Sequence, residues 1–340
     1  MSLFAEERLT PWQKEPFEQI SRQFQQGQLP HSLLMLGEEG VGRDDFCRFV
    51  AEWMLCGSEQ KELGACGQCK SCQLFHAGSH PDYHHLDVEE GKTQISIAQV
   101  RDLIEHMQES SHQAGWKVAN IANVHALNAS SFNALLKTLE EPQPNTLLIL
   151  QAEQLQGVPA TIKSRAQLRK VGVTDSAVTR EWLNARHDFI SADMETGIQL
   201  FPTAPYKVEA FVEDGEAFKS GEFIYDYADI VAGKQTPMEI AERWQSELEN
   251  CVYWCQLMFH DVLFLQQGAS EEQVQLKKQF GAIAPIAETI SAKGVMLLLT
   301  KIIELQRLIK LKSPANLMAS WQSFLIYSSQ IAIKYKNIAS

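Results

Sequence analysis

The chain has 340 residues, 45% hydrophobic and 21% charged, and carries a formal net charge of −12. That length suits about two or three domains with ample core material, and the acidic balance excludes a whole-surface nucleic-acid binder, which phosphate contacts would make basic. Apolar runs such as Val295–Leu299 fall far below the ~20 residues of a membrane span, and the opening MSLFAEERLTPW is too charged for a signal peptide, so a soluble cytoplasmic protein is expected.

The first ~170 residues read as alternating strands and helices. His31–Leu36 is a short apolar run that ends at a glycine-rich turn, and residues 44–56 follow as a helix with Phe46, Phe49, Val50 and Trp53 at helical spacing. Tyr83–Val88 reads as a second strand. Ser96 and Gln99 form a capping box for the next helix, striped by Ile97, Val100, Leu103, Ile104 and Met107. Lys117–Val124 is a third strand. Phe132, Leu135, Leu136 and Leu139 stripe a helix that Pro142 stops, and Thr146–Leu150 is a fourth strand. Such alternation implies a parallel sheet covered on both faces.

The pattern breaks near Val171–Asp175. Residues ~175–212 read as a small helical segment punctuated by Pro202 and Pro205. From about Glu213 the chain reads as all helix. Val295–Leu311 and Leu317–Lys334 are long striped helices split at Ser313–Asn316, and Trp244, Trp254 and Trp321 offer bulk for a helical core.

The turn after the first strand carries a damaged phosphate-binding motif. A working loop reads GxxxxGK(S/T): backbone N–H groups cradle phosphates, the Lys neutralises charge and the hydroxyl holds Mg²⁺. Here Gly37, Gly40 and Gly42 are kept, but Arg43 stands at the Lys position and Asp44 at the hydroxyl position. Glu38, Glu39, Asp44 and Asp45 surround a pocket meant for a polyanion. Two further elements are missing. The third strand ends in Ala122-Asn123, where a metal-binding acidic pair would stand, and the fourth runs into Gln151-Ala152 with no hydroxyl to sense a γ-phosphate. An unrelated glycine turn capped by Asp44 explains the loop alone, but not three losses in one frame.

Cys56, Cys66, Cys69 and Cys72 are spaced C-x9-C-x2-C-x2-C. Paired CxxC thiols can meet one tetrahedral Zn²⁺, and four thiolates make a closed structural site rather than a catalytic one. Free buried thiols, a redox CxxC and an iron–sulfur site are the alternatives. His80, His84 and His85 read as ordinary surface or strand positions, because the cysteines already complete a coordination shell. Cys251 and Cys255, one helical turn apart with no third ligand, read as core thiols. After the fourth strand comes Ser164-Arg165. An arginine at a subunit boundary can stabilise charge on a neighbour's nucleotide, although an isolated arginine is more often a surface ion-pair residue.

Together, PHSLLMLGEEGVGR (Pro30–Arg43), the four cysteines followed by HPDY (His80–Tyr83), NALLKTLEEP (Asn133–Pro142) and ATIKSR (Ala160–Arg165) resemble the AAA+ clamp-loader subunits of bacterial replication. The similarity is strong over residues 1–170 and rests on helical pattern beyond. It implies an AAA+ α/β domain with a parallel sheet over residues 1–171, carrying a zinc module at 56–72. A small helical lid over 172–212 and an all-α collar over 213–340 would follow.

The departures at Arg43, Asp44, Ala122, Asn123 and Ala152 place the chain among the family's non-hydrolysing members, with no ATP expected on it. The family's SRC motif reads Ser164-Arg165-Ala166 here, which implies that Arg165 serves as an arginine finger in trans. A motor subunit's second sensor arginine would fall near Tyr206 and Lys207. The implied partners are the gamma or tau motor subunits, the clamp-opening delta subunit, and, through the complex, the sliding clamp and primed DNA. Arg101 is a candidate DNA-backbone contact, or simply a solvated helix charge. An ATPase with an unusual loop and a zinc-module nucleic-acid binder are the competing expectations.

Overall fold

The computed structural model describes residues 8–59, 61, 64–113, 115–310 and 314–335. They fall into two compact units. One takes the residues up to Asp188 together with Phe201–Lys207. The other takes Phe189–Leu200 and the residues from Val208 onward.

The first unit is built on a five-stranded, all-parallel sheet: β1 (Ser32–Leu36), β2 (Tyr83–Leu86), β3 (Lys117–Ile121), β4 (Thr146–Ala152) and β5 (Gln167–Lys170), in the order β2-β3-β4-β1-β5. Strands β3 and β4 are buried at every residue, and β1 at all but Leu36, as parallel strands covered on both faces must be. The helices between them are α1 (Pro11–Gln25), α2 (Arg43–Leu55), α3 (Lys70–His76), α4 (Ile97–Gln108), α5 (Ala129–Glu140) and the single turn α6 (Ala160–Lys163). The capping box at Ser96 is present, with Gln99 returning a bond to the Ser96 N–H at 2.9 Å. Leu86, Val100, Leu103, Leu135, Leu139, Ile149 and Ile162 are buried about the sheet.

Several elements of this unit differ from expectation. The third strand stops at Ile121, because Asn123 turns to cap a 3-10 turn at Val124–Ala126, accepting the His125 N–H at 3.0 Å. The edge strand β5 is not foreseen: it is four residues long and polar, so no apolar period marks it. It pairs with β1 from Leu33 opposite Gln167 to Leu36 opposite Lys170. Helix α1 is also unforeseen, although Thr10 and Gln13 form a capping box and Pro11 opens it.

The second unit is helical throughout its described residues. Its long elements are α10 (Glu216–Val231), α12 (Leu248–Gln266), α14 (Ala292–Lys310) and α15 (Pro314–Lys334). The shorter ones are α8 (Ser191–Leu200), α9 (Pro205–Glu213), which begins in the first unit, α11 (Pro237–Arg243) and α13 (Phe280–Thr289), while α7 (Ser176–Arg186) belongs wholly to the first unit. Of the expected break at Ser313–Asn316, Ser313 lies outside the described residues together with 311 and 312, and Pro314–Asn316 already belong to α15. Trp254 and Trp321 are buried among Phe223, Tyr227 and Phe259, and Trp244 packs edge-on to Trp254 at 5.9 Å. Cys251 and Cys255 are fully buried in the same core, as core thiols should be. Among the described residues no helix is long and apolar enough to cross a membrane.

Candidate functional site: a filled phosphate loop, a thiol cluster and a surface arginine

In an open parallel sheet, ligands bind beyond the carboxyl ends of the strands. At that edge lie the loop after β1, the ends of β3 and β4, and Tyr206-Lys207. The loop Gly37–Gly42 keeps the backbone of a phosphate cradle. Gly40 and Gly42 have φ of 89° and 71°, a region that other residues enter at a cost. A Cβ on Gly37 would lie 2.3 Å from the Val171 carbonyl oxygen. Val41 is buried, and the Trp12 indole N–H donates to its carbonyl at 2.8 Å.

The loop's neighbours bond to the protein itself. Arg43 does not point outward for a phosphate. Its guanidinium donates to the Gly37 carbonyl of its own loop and, through Nε, to Gln151 Oε1 at 3.0 Å. Gln151, fully buried at the end of β4, donates from Nε2 to Asp44 Oδ1 at 2.9 Å and to Asn120 Oδ1 at 3.0 Å. Asn120 in turn reaches the Tyr83 hydroxyl at 3.4 Å.

On the outer side, the Tyr206 N–H donates to the Gly40 carbonyl at 2.9 Å. The Tyr206 ring sits where a Gly42 Cβ would come within 2.6 Å, and the Lys207 stem crowds Gly40 in the same way. Lys207 pairs with Glu39 at 2.7 Å, and the Thr203 hydroxyl donates to Glu38 at 2.6 Å. Three of the four acidic side chains around the loop therefore have partners. The fourth, Asp45, is exposed, and partial desolvation together with the neighbouring Asp44 carboxylate pushes its carboxyl above the usual range. Ala122 and Asn123 bring no carboxylate to this edge. Ala152 is buried and uses its carbonyl to accept the Gly37 N–H at 3.1 Å.

The bridging role of Gln151 and the part played by Asn120 are not visible in the motif reading. Their signal is a polar residue near the carboxyl end of each of two fully buried strands, KVANI and TLLILQA. A buried polar group must be paired, so two such residues on adjacent strands announce a network.

The four cysteines come together. Cys56 is the C-cap of α2, and Cys69 is the N-cap of α3, accepting the Cys72 N–H. All four sulfurs lie within 4.8 Å of one another, with 3.5 Å between Cys69 and Cys72 and 4.0 Å for Cys56–Cys69 and Cys66–Cys72. A tetrahedral metal with bonds of ~2.3 Å requires edges of about 3.8 Å, so the donor set fits a structural Zn²⁺. Burial alone would raise the Cys69 thiol, but the N–H groups of Cys72 and Gly57 and the adjoining thiols outweigh it and lower it, while burial raises Cys56 and Cys72.

None of the three nearby histidines joins this cluster. His80 is buried just before β2. It accepts the Asp82 N–H at Nδ1 (3.0 Å), which leaves Nε2 to donate to Ser71 Oγ at 2.6 Å, and Ser71 donates to the Leu55 carbonyl. Asp82, fully buried, accepts from Ser111 Oγ and from the His112 and Gln113 N–H groups. His84 and His85 lie on β2, where His84 packs on His106 at 5.1 Å.

Burial holds the imidazoles of His80, His84 and His106 below their usual value, with the His106 charge further lowering His84 and the Lys117 charge further lowering His106. Each holds a proton less readily in the fold than in the unfolded chain, where the imidazole titrates near pH 6.5. Stability should therefore fall as pH drops from 7.5 to 5.5, by up to one proton's worth of slope per histidine. Melting curves of His84→Gln/His106→Gln should show a shallower dependence; an unchanged slope would contradict the assignment.

Arg165 lies at the end of α6. Its NH1 donates to the Thr161 carbonyl at 3.2 Å and to Ser164 Oγ at 3.1 Å, and its NH2 pairs with Glu140 at 2.7 Å. The backbone beneath is anchored, since the Ser32 hydroxyl donates to the Arg165 carbonyl at 2.8 Å and Ala166 is buried in the sheet's core. The side chain itself keeps 34% of its surface in solvent. Arg101 lies exposed on α4.

Comparison with known proteins adds the family. A model described as "DNA polymerase III, delta subunit" matches residues 12–173, and one described as "DNA polymerase III, delta subunit, C terminal" matches residues 226–320. The chain is similar to DNA polymerase III subunit delta' of Haemophilus influenzae, 31% identical over 239 residues that cover 70% of this chain and 72% of that one. It is also similar to subunit delta' of Yersinia pestis, 29% identical over 296 residues and 86% of each chain. A weaker likeness, 31% identical over 165 residues, links it to DNA polymerase III subunit gamma of Buchnera aphidicola, covering 47% of this chain and 43% of that one.

Proposed function

The chain belongs to the delta' subunit family of DNA polymerase III, and from that premise we propose that it is a non-hydrolysing stator subunit of the replicative clamp loader. In this reading it stands in a ring with gamma or tau motor subunits and the clamp-opening delta subunit, in the cytoplasm at the replication fork. The ring loads the sliding clamp onto primed DNA. Its functional parts are an AAA+ domain over residues 1–171, a lid over 172–212 and a collar over 213–340.

One observation carries the non-hydrolysing role. The phosphate cradle is filled from inside by Arg43 and Gln151 and covered outside by Tyr206 and Lys207. A nucleotide would have to break that network and then meet Glu38, Glu39 and Asp44 in place of a lysine and a metal-binding hydroxyl. Equilibrium dialysis of the isolated chain with labelled ATP should give no saturable binding; micromolar binding would favour the ATPase reading instead.

Three further features support the assembly. The four thiols hold a structural zinc that ties the end of α2 to the start of α3. Arg165 is presented at the surface on an anchored backbone, from which it would serve a neighbour's nucleotide. In the collar, α14 exposes Met296 and Ile303 and α15 exposes Ile326 and Ile333, each pair seven residues apart. Apolar stripes of that spacing on two neighbouring helices suit helix packing against other subunits.

A further inference from the structure

The ion pair on Arg165 points to a control on the arginine finger. Glu140 is the last residue of α5, on the same helix as the buried Leu135 and Leu139, so its position is set by the core. Its carboxylate takes the Arg165 NH2 at 2.7 Å, and both side chains are partly in solvent, at 50% for Glu140 and 34% for Arg165. The NH1 side of the guanidinium is held by the Thr161 carbonyl and Ser164 Oγ, neutral acceptors from its own helix turn. Of the three acceptors, only Glu140 carries charge and comes from a different element.

We propose that Glu140 is a positioning residue that parks Arg165 when the neighbouring site holds no nucleotide triphosphate. This rests on the finger reading above. A carboxylate bonded to the guanidinium offsets the positive charge that a γ-phosphate would need. The phosphate therefore competes with Glu140 for the same N–H groups. Exposed ion pairs are weak and screened by salt, so the parked state yields to a bound phosphate yet lowers engagement in its absence. Thr161 and Ser164 remain as a neutral seat that keeps the guanidinium near its working place in both states.

The test uses the reconstituted loader with clamp and primed DNA, and compares Glu140→Ala, Glu140→Gln, Arg165→Ala and the Glu140→Ala/Arg165→Ala pair. Glu140→Ala should lower the ATP concentration for half-maximal hydrolysis by about 1.4- to 5-fold, the range an exposed pair is worth, with little change in maximal turnover. Glu140→Gln, which keeps the acceptor and loses the charge, should move the same way. The difference from wild type should shrink as salt rises, and vanish in the Arg165→Ala background, as coupling through one contact requires.

A lowered turnover in Glu140→Ala would mean that Glu140 aims the finger rather than parks it, and would overturn the proposal. An equal effect with and without Arg165 would reduce Glu140 to a structural role. Unchanged hydrolysis in Arg165→Ala alone would remove the finger reading, and the parking role with it. Reduced hydrolysis in Arg165→Ala alongside an inert Glu140→Ala would remove only the parking role.

Discussion

On the proposed trans role, replacing Arg165 by Ala should leave the fold and ring assembly intact and silence the ATPase site that this residue would serve. The side chain is partly exposed and its one ion pair, to Glu140, is of a kind worth at most about 1 kcal/mol. Little stability is therefore at stake. The anchoring is done by the backbone, through the Ser32 hydroxyl and the buried Ala166, and neither changes. The functional loss is much larger, because an arginine finger contributes ~10³–10⁵ in rate at the site it serves. Total turnover of the loader should fall by the share which that one site carries, while the other motor sites continue. Arg165→Lys should rescue poorly, since an ammonium lacks the planar fork that grips phosphate oxygens. Steady-state hydrolysis under saturating clamp and primed DNA is the measurement, with gel filtration to verify assembly. Unchanged turnover would sink the trans role.

The second large effect concerns the thiol cluster. The native protein should carry about one zinc per chain by elemental analysis. Cys66→Ser/Cys69→Ser should lose the metal and melt at least ~10 °C lower. The magnitude follows from the metal's weight in folding: structural zinc contributes ~10–16 kcal/mol in small peptides, and in a unit of this size each kcal/mol shifts melting by roughly 2–4 °C. Even a fraction of the peptide value is enough. The damage should be local at first, because the cluster joins the C-cap of α2 to the N-cap of α3. Helix α2 also carries Phe46, Phe49 and Trp53 into the core, so loosening its end reaches the sheet. A chelator should reproduce the effect in wild type and add nothing to the variant. A metal-free native protein with unchanged melting would argue for free thiols.

Much of the molecule can be read along the chain. The apolar runs of β1, β3 and β4 announce a parallel sheet, the stripes of α4 and α5 announce its covering helices, and the tryptophan-rich tail announces a helical core. Cysteine spacing announces a metal cluster, and kept glycines beside a lost lysine and hydroxyl announce a nucleotide fold without its chemistry. These signals are local: a period, a cap or a short spacing carries each. What only the tertiary structure decides is where Arg43 goes. In the linear motif it is a substitute cation facing the phosphate pocket. In the fold it turns back on Gly37 and is fixed by Gln151, a residue 108 positions away. Tyr206 and Lys207 close the loop from still further along the chain. The edge strand β5 and the pairing of Arg165 with Glu140 escape the sequence for the same reason. Each depends on polar groups finding partners far along the chain, and a hydrogen bond between distant residues leaves no periodicity in it. The residue types along the sequence determine that this loop lacks the usual lysine and hydroxyl; only the packing of distant polar side chains decides that Arg43 turns back into the protein.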